Sequence, residues 1–474
     1  MKRLWTALTL SFLVMGSLIG CDSGSRADPN AASTTAPATS STTGGTTSGT
    51  TGNAPVGVAD LTQVAMTSNS AKMSPDVAAL VLNVASSGTG DVELASIMIT
   101  ASGTVDETEL GELKLYGDDN KNGVIDQGEP VLATVAAPAF NMNDGLVQVT
   151  LANPITIGSG ADLQLIVALD ANAANNGIQK IGETVELSVQ APSDLVVTSS
   201  GAPVTPNATF PVTSQPTTLF LNDHLAISEL VYTPTAGEYI EIFNPTAQAI
   251  DLTNYYLTDQ SDSTLANTYY QMPSGNFDSG NTADFIVRFP PNAQIAAGET
   301  ITIAIDGVDF QTTYGTAATY SCKDAAGGSI DMLVPAGAGW AVGGIAPFAT
   351  LFDSGESVVL FHWDGQTDLV QDVDYVFYGS AASVGTYNLQ WDKTGVSVDG
   401  PDADTTPSQY LPETPVAQQG EAPTAAAPNN AIQRVSYEEG TETQNAGNGI
   451  TGHDETSEDV GTTFQTGIPT PGQP

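Results

Sequence analysis

Basic residues are scarce in this sequence. Lys and Arg together number 11 against 53 Asp and Glu, a formal net charge of −42. A field of that sign repels nucleic acid phosphates and anionic membrane surfaces and attracts cations, so no nucleic acid partner is expected. Only 14% of residues are charged, and the surface must lean on Ser, Thr, Asn and Gln. Cysteine is nearly absent, with Cys21 and Cys322 alone. Cys21 has a covalent role argued below, which excludes an internal disulfide and leaves stability to packed sheets and bound ions. Cys322 reads as a buried thiol, with an intermolecular bridge as the sharper alternative. The three histidines, His224, His362 and His453, fall far apart on different expected elements. None sits in H-E-x-x-H, and no G-x-S-x-G, P-loop or G-x-G-x-x-G context occurs. A zinc site or a hydrolase triad therefore has almost nothing to start from, and the chain reads as non-enzymatic.

What is present begins with residues 1–20. Lys2 and Arg3 precede an apolar core, Leu4 to Leu18, too short for a comfortable membrane span. The core ends Leu18-Ile19-Gly20-Cys21, which resembles the lipobox of bacterial lipoproteins. The resemblance implies export, removal of residues 1–20 and acylation of the Cys21 thiol and its new amino group. Loss of Lys2 and Arg3 would leave 9 basic residues against 53 acids, or −44. Two or three chains give firm anchoring, since each buried CH₂ adds ~0.8 kcal/mol. The expected location is the bacterial cell envelope, on its periplasmic or extracellular face. Residues 21–57 carry Cys21 and a Ser, Thr, Gly, Ala and Pro tract that cannot bury enough surface to fold. As a tether it reaches roughly 30 Å.

Residues 58–216 read as one β-rich domain. Candidate strands are 77–84, 92–100, 110–116, 131–135, 145–151, 162–169, 184–189 and 195–198, with turn signals between them and no long apolar stripe of helical period. Between the third and fourth lies Asp118-Asp119-Asn120-Lys121-Asn122-Gly123-Val124-Ile125-Asp126-Gln127-Gly128-Glu129, which fits the calcium-loop pattern D-x-N-x-N-G-x-I-D-x-x-E at every position. Calcium takes six to eight hard oxygens. Asp118, Asn120 and Asn122 would point inward, the Val124 carbonyl would add a ligand, and Asp126 would reach the ion directly or through water. Glu129 would close with two oxygens, while Gly123 permits the sharp turn and Ile125 packs inward. Pro130 stands where an EF-hand would run its exit helix, so the expected context is strand–loop–strand. This resembles the strand-flanked calcium loops of bacterial adhesin and cell-surface modules. A structural Ca²⁺, weakly held on the order of 10⁻⁴–10⁻³ M, would suffice outside the cell.

Residues 217–223 read as a junction. The next stretch, Ile227 to Asp259, holds three short aromatic and β-branched runs split by turn signals at Pro234–Gly237 and Asn244-Pro245-Thr246. A strand, then E-Y-I-E-I-F-N-P-T, then D-L-x-x-Y-x-L-x-D, resembles the opening of a lamin-tail domain, a small immunoglobulin-like sandwich. Further strands at 284–289 and 299–305, a short turn at 309–315, paired strands at 354–365 and 368–379 with an Asp364-Gly365 turn, and a close at 432–435 and 457–464 are similar to the family in the same order. The likeness places this domain at 222–466, with a disordered tail at 467–474. In eukaryotes the family serves protein association in the nucleus, and some members contact DNA; the export signal and the charge argue against both here. Bacterial lamin-tail domains also accompany exported nucleases and phosphoesterases, which leaves an accessory role as an alternative. Segments 260–283, 316–350 and 380–430 exceed what a minimal sandwich needs and are the best candidates for a recognition surface.

Lesser candidates follow from composition. Asp399, Asp402 and Asp404 form an acidic turn. Asp251, Asp259 and Asp262 read as turn formers bonding their own backbone. Glu241, between Ile240 and Ile242, reads as facing an edge or solvent. Trp363 reads as packing, whereas Trp340 and Trp391, expected in loops, could line a carbohydrate-binding face. The expected architecture is all-β: two tandem β-sandwich domains, the second immunoglobulin-like and lamin-tail in type. The expected role is display, adhesion or scaffolding at the envelope, with an unidentified protein or glycan partner and a membrane contact through the N-terminal lipid.

Overall fold

Alternation of apolar and polar residues dictates two stacked pairs of sheets, and a computed structural model of the chain contains them. The structure describes residues 56–473 apart from 173–179, 260–267, 277–282, 337–338, 380–382, 385–386, 425–429 and 438–441. The signal segment, Cys21 and nearly all of the tether lie outside the described residues, as does Asp262.

The first sandwich pairs a five-stranded antiparallel sheet with an eight-stranded one. The five run in the order Ala59–Val64, Val77–Ser86, Asp162–Leu169, Leu113–Gly117, Val131–Val135. The second sheet is built on Val92–Gly103, which pairs with Leu146–Ile157, Leu195–Ser199 and Thr184–Val189. Each expected strand of this domain is found, most within two or three residues at either end, though the third begins only at Leu113 and Leu146–Ile157 runs on six residues further. Val84, Leu94, Ile97, Leu165 and Leu187 fill the space between the sheets and are fully buried. The junction is not a free linker. Thr217–Phe220 is a strand of the first domain, antiparallel to Thr184–Val189 and parallel to Ser70–Lys72. Thr217-Thr218-Leu219-Phe220, beside Pro216, shows no polar–apolar alternation to mark it as a strand.

The second sandwich sets a seven-stranded sheet against a six-stranded one. The first runs Ile330–Asp331, Tyr320–Ser321, Thr300–Ala304, Tyr239–Phe243, Ala226–Val231, Ala431–Arg434, Phe464–Gly467. The second runs Gly339–Val342, Leu333–Ala336, Ile286–Arg288, Tyr255–Thr258, Gly355–His362, Gln371–Gly379. Ile240 and Ile242 point into the core between them, with Leu257, Val287, Leu360 and Val376. The two domains also share apolar packing: Ala226, Phe243 and Tyr437 of the second join the core of the first.

Several expectations fail for tertiary reasons. The stretch read as a short turn, 309–315, belongs to an α-helix, Gly307–Tyr314. Asp306 caps it, accepting from the N–H groups of Val308 and Asp309 at 3.0 and 3.1 Å. Phe310 is its buried anchor, edge-on to Tyr239 at 5.4 Å. The long insertions, where described, are partly exposed loop and partly core. Tyr269, Tyr270 and Met272 from the first, and Leu389, Trp391, Val398 and Tyr410 from the third, cover the outer face of the six-stranded sheet over Tyr256, Val359, Phe361 and Phe377. Parts of the second add edge strands to both sheets. Strands buried on both faces are continuously apolar, and Val358–Phe361 and Tyr375–Phe377 show that. The tail read as disordered also docks. Thr470 N–H donates to Glu229 at 3.1 Å and Gly472 N–H to Glu241 at 2.6 Å.

Candidate metal centre

The loop 118–129 joins two neighbouring antiparallel strands, Leu113–Gly117 and Val131–Val135. Strand–loop–strand is therefore its context, with Gly117 N–H donating to the Pro130 carbonyl at 3.0 Å to close the neck. Within it the chain wraps around its own side chains. Asp118, only 2% exposed, accepts from Gly123 N–H at 2.8 Å and from the Gln164 amide at 2.7 Å on Oδ2, and from Asn122 N–H at 3.2 Å on Oδ1. Asn120 Oδ1 accepts from Asn122 N–H at 3.0 Å and Asn122 Oδ1 from Val124 N–H at 2.7 Å. Gly123 has φ +76°, a left-handed conformation that side chains resist. Ile125 packs toward Val81, Tyr116, Ile166 and Ala168 and pins the loop to the sheet.

Two features bear on whether these residues fit a cation. Asn120 and Asn122 both direct amide hydrogens at Asp126 Oδ2, each at 2.7 Å, and those bonds hold its carboxyl below the ordinary carboxylate range. Amide dipoles there supply the positive polarity a cation would supply. Glu129 spends Oε2 on Asp126 N–H at 3.0 Å, while its Oε1 is buried without a hydrogen-bond partner. A buried, orphaned carboxylate oxygen is costly unless something positive meets it. Asp118 Oδ1, Asn120 Oδ1 and Asn122 Oδ1 each accept one N–H and keep a second lone pair. The residues present fit calcium.

The other candidates resolve differently. Glu241, expected at an edge or in solvent, is fully buried. The outward face of its strand is roofed by the C-terminal tail, and Ser228 Oγ donates to it at 2.9 Å. Burial pushes its pKa to about 8. Asp259 is not a turn former. It is fully buried, accepts Phe285 N–H at 2.6 Å, and its carboxyl is raised by burial and by the charge of Glu356. Asp251 does form its turn, accepting Thr253 N–H at 2.9 Å, and Asp399, Asp402 and Asp404 lie exposed. Trp391 is 1% exposed in the aromatic layer and cannot present an indole to a glycan. Trp340 lies in strand Gly339–Val342, half-buried against Tyr256 at 5.2 Å. Trp363 packs beside the same layer, its indole N–H donating to the Thr367 carbonyl at 2.8 Å. Cys322 is buried and free, as expected. His362 lies beside Tyr255 and hydrogen-bonds with Gln371, apart from the other two histidines. His224 and His453, read as far apart, are neighbours with ring centroids 5.7 Å apart. No sequence signal could have paired them, because the fold alone brings the chain's late loop to the domain junction.

Part of the second sandwich, from its opening strands to its later hairpin, is similar to a known domain family. Residues 221–379 match the Lamin Tail Domain. The lamin tail domain is a non-catalytic, immunoglobulin-like family, and here it carries strands from Ala226–Val231 through Gln371–Gly379. Two solved structures are similar to the chain. A DUF4876 family protein from Bacteroides thetaiotaomicron is 15% identical with a TM-score of 0.31, covering 76% of this chain and 92% of its own. The Hadza microbial sialidase Hz136 is 10% identical with a TM-score of 0.19, covering 82% of this chain and 79% of its own. No curated protein matches.

Proposed function

We propose that this chain is a lipid-anchored bacterial envelope protein that displays a lamin tail domain on a calcium-braced sandwich, for adhesion or scaffolding without catalysis. The observation that carries the reading is the loop 118–129, wrapped between paired strands with the buried Glu129 Oε1 unanswered. Asp118, Asn120, Asn122, Asp126, Glu129 and the Val124 carbonyl would hold the ion. It would neutralise three carboxylates at the edge of the five-stranded sheet and stiffen the hairpin that ends it. The strongly acidic chain, at −42, keeps such a module soluble and repels polyanions. Shared packing between the sandwiches supports a rigid spacer that holds the lamin tail domain at a distance from its anchor.

The test is a thermal melt of the full chain in millimolar calcium against chelator, with mass spectrometry of the natural product. A raised midpoint with calcium and acyl mass on Cys21 are expected. An unchanged midpoint removes the brace, an unacylated product removes the anchor, and turnover of a substrate by the clean chain removes the non-catalytic role.

A further inference from the structure

Lys393 is fully buried. It belongs to the third insertion, whose docking over the six-stranded sheet carries it into an aromatic shell. The ring centroids of Tyr269 and Tyr410 lie 5.5 and 5.8 Å from its Nζ. Trp391, two residues earlier, packs edge-on to Tyr269. Inside that shell Nζ touches two carboxylates. One is Asp372 Oδ2, from strand Gln371–Gly379. The other is Glu413 Oε1, at 2.5 Å, from the segment that follows Tyr410. The side chains of Asp372 and Glu413 are 2 and 1% exposed, so the whole triad is dry.

An amine, a carboxyl acceptor and a second carboxyl in one dry pocket are the parts of an amide-forming reaction. Three observations favour that chemistry over a plain ion pair. The first is the medium. Desolvation of buried charges works against their attraction, and joining an ammonium to a carboxylate as an amide removes both charges from the interior. Water, which would hydrolyse the product, is kept out. The second is contact. Groups held together in reactive alignment behave as if at concentrations on the order of 10⁵–10⁸ M. The third is the division of labour among the oxygens. Asp372 Oδ2 faces Nζ, while Oδ1 accepts the Tyr269 hydroxyl at 3.0 Å. The Tyr269 oxygen in turn accepts from Nζ at 3.1 Å, which turns its hydrogen toward Asp372. Tyr269 thus donates where negative charge gathers when Cγ of Asp372 is attacked. Glu413 is pinned beside the same nitrogen. Its Oε2 accepts the Lys393 backbone N–H at 2.7 Å and its Oε1 the Asn448 amide at 2.9 Å. Burial raises the Glu413 carboxyl, so it takes up a proton more readily than an exposed one.

We propose that Lys393 and Asp372 condense with each other to an amide between Nζ and Cγ, with Glu413 as proton carrier and Tyr269 as oxyanion donor. The ion-paired triad is the reactant. The ammonium passes one proton to Oδ2, with which it is in contact, leaving a neutral amine and a neutral acid. The nitrogen lone pair attacks Cγ, and the C=O electron pair moves onto Oδ1, held by the Tyr269 O–H. Glu413 takes a proton from the nitrogen and returns it to the Oδ2 hydroxyl. The C–Oδ2 bond breaks, water leaves, and the C=O bond to Oδ1 re-forms. The ammonium and carboxylate have become one amide and one water, and Glu413 ends as it began. The event happens once per chain, without turnover. It staples the third insertion to strand Gln371–Gly379 and limits the freedom of the unfolded chain. The brace falls in a domain whose one cysteine, Cys322, is buried and free, and it does not depend on the lipid anchor or on calcium.

The test is a chymotryptic digest of the purified full chain, denatured after folding and read by tandem mass spectrometry. Tyr375 and Trp391 offer cleavage sites between the two residues, so only a new bond keeps their pieces together. A branched peptide joining the piece with Asp372 to the piece with Lys393, lighter than the two together by one water, is expected. Lys393→Met and Asp372→Ala should each abolish it. Glu413→Gln keeps the shape of the side chain and removes its proton exchange, and should slow bond formation about 10²-fold or more. Should a variant not fold, the unaltered chain decides alone. Recovery of the two pieces separately from the folded, unaltered chain overturns the proposal. A branch through Glu413 instead of Asp372, or an undiminished rate in Glu413→Gln, overturns the roles assigned to the two carboxyls.

Discussion

Glu241 Oε2 accepts the backbone N–H of Gly472 at 2.6 Å, a contact between residues 231 positions apart. Beside it Glu229 receives Thr470 N–H at 3.1 Å and the Gln433 amide at 2.8 Å. The C-terminal tail is thus strapped to the sheet by two buried carboxyl groups. Burial raises Glu241 to about 8 and Glu238 to about 7, from an ordinary 4.5. A carboxyl raised on folding means that the native state binds more protons than the unfolded chain between those values. Its contribution to stability is present in full below about 4.5 and is lost as pH rises toward 8. The denaturation midpoint in urea should therefore fall from pH 5 to pH 8. Glu241→Gln should flatten that fall and stabilise the chain at pH 8, and an equal slope in the two proteins would refute the assignment.

Lys393 is buried with its ammonium against Asp372 and Glu413 and 3.1 Å from the Tyr269 hydroxyl. Burial works against the ammonium, but the charges of Asp372 and Glu413 outweigh it and raise its pKa. The triad ties the third insertion to strand Gln371–Gly379. Lys393→Met would leave two buried carboxyls without their cation, at a cost of about 3–5 kcal/mol. Urea unfolding at pH 7 should show that loss, and at pH 4 a smaller one, since protonation relieves the stranded charges.

Asp126 lies exposed at the mouth of the loop 118–129 and accepts the Asn120 and Asn122 amides. Asp126→Ala should erase the calcium-dependent rise in melting midpoint and lower the midpoint in chelator only slightly. Asp118→Ala should lower both, because Asp118 also holds Gly123 and Gln164. A calcium response that survives Asp126→Ala would move the ion elsewhere.

Cys322 is fully buried, and burial together with the nearby charge of Asp259 pushes its thiol up. A thiol kept neutral and out of water reacts only when the sheet opens. With Cys21 replaced by Ser, the chain should resist a thiol reagent at pH 8 and react with one equivalent in denaturant. Prompt modification of the native protein, or a covalent dimer without reductant, would contradict that.

Strand positions were legible because their cause is local. Alternation at period two in Val92–Gly103 or at the start of Leu146–Ile157 commits a strand whichever partner it finds. The strand–loop–strand context of 118–129 was legible for the same reason, since its turn-forming side chains lie in twelve consecutive residues and its glycine answers a local turn. The helix Gly307–Tyr314 was misread although its Asp306 cap and Gly315 close were on the page. Eight residues with one buried aromatic give too weak a stripe to outweigh a turn.

Chemistry of single residues was left to the tertiary structure. Glu241 alternates with Ile240 and Ile242 as a surface residue should, and only a tail from the far end of the chain buries it. Trp391 stands in a polar segment, and only docking on Phe361, through Tyr269, makes it core. His224 and His453 share no motif, because residues that only the fold brings together from distant loops have no spacing to display. The sequence by itself determined which segments become strands, because backbone and side-chain periods act over a few residues. Which faces meet water, and which distant side chains share a site, only the packing of sheets, insertions and tail decided. Burial there is a property of the neighbours and not of the residue.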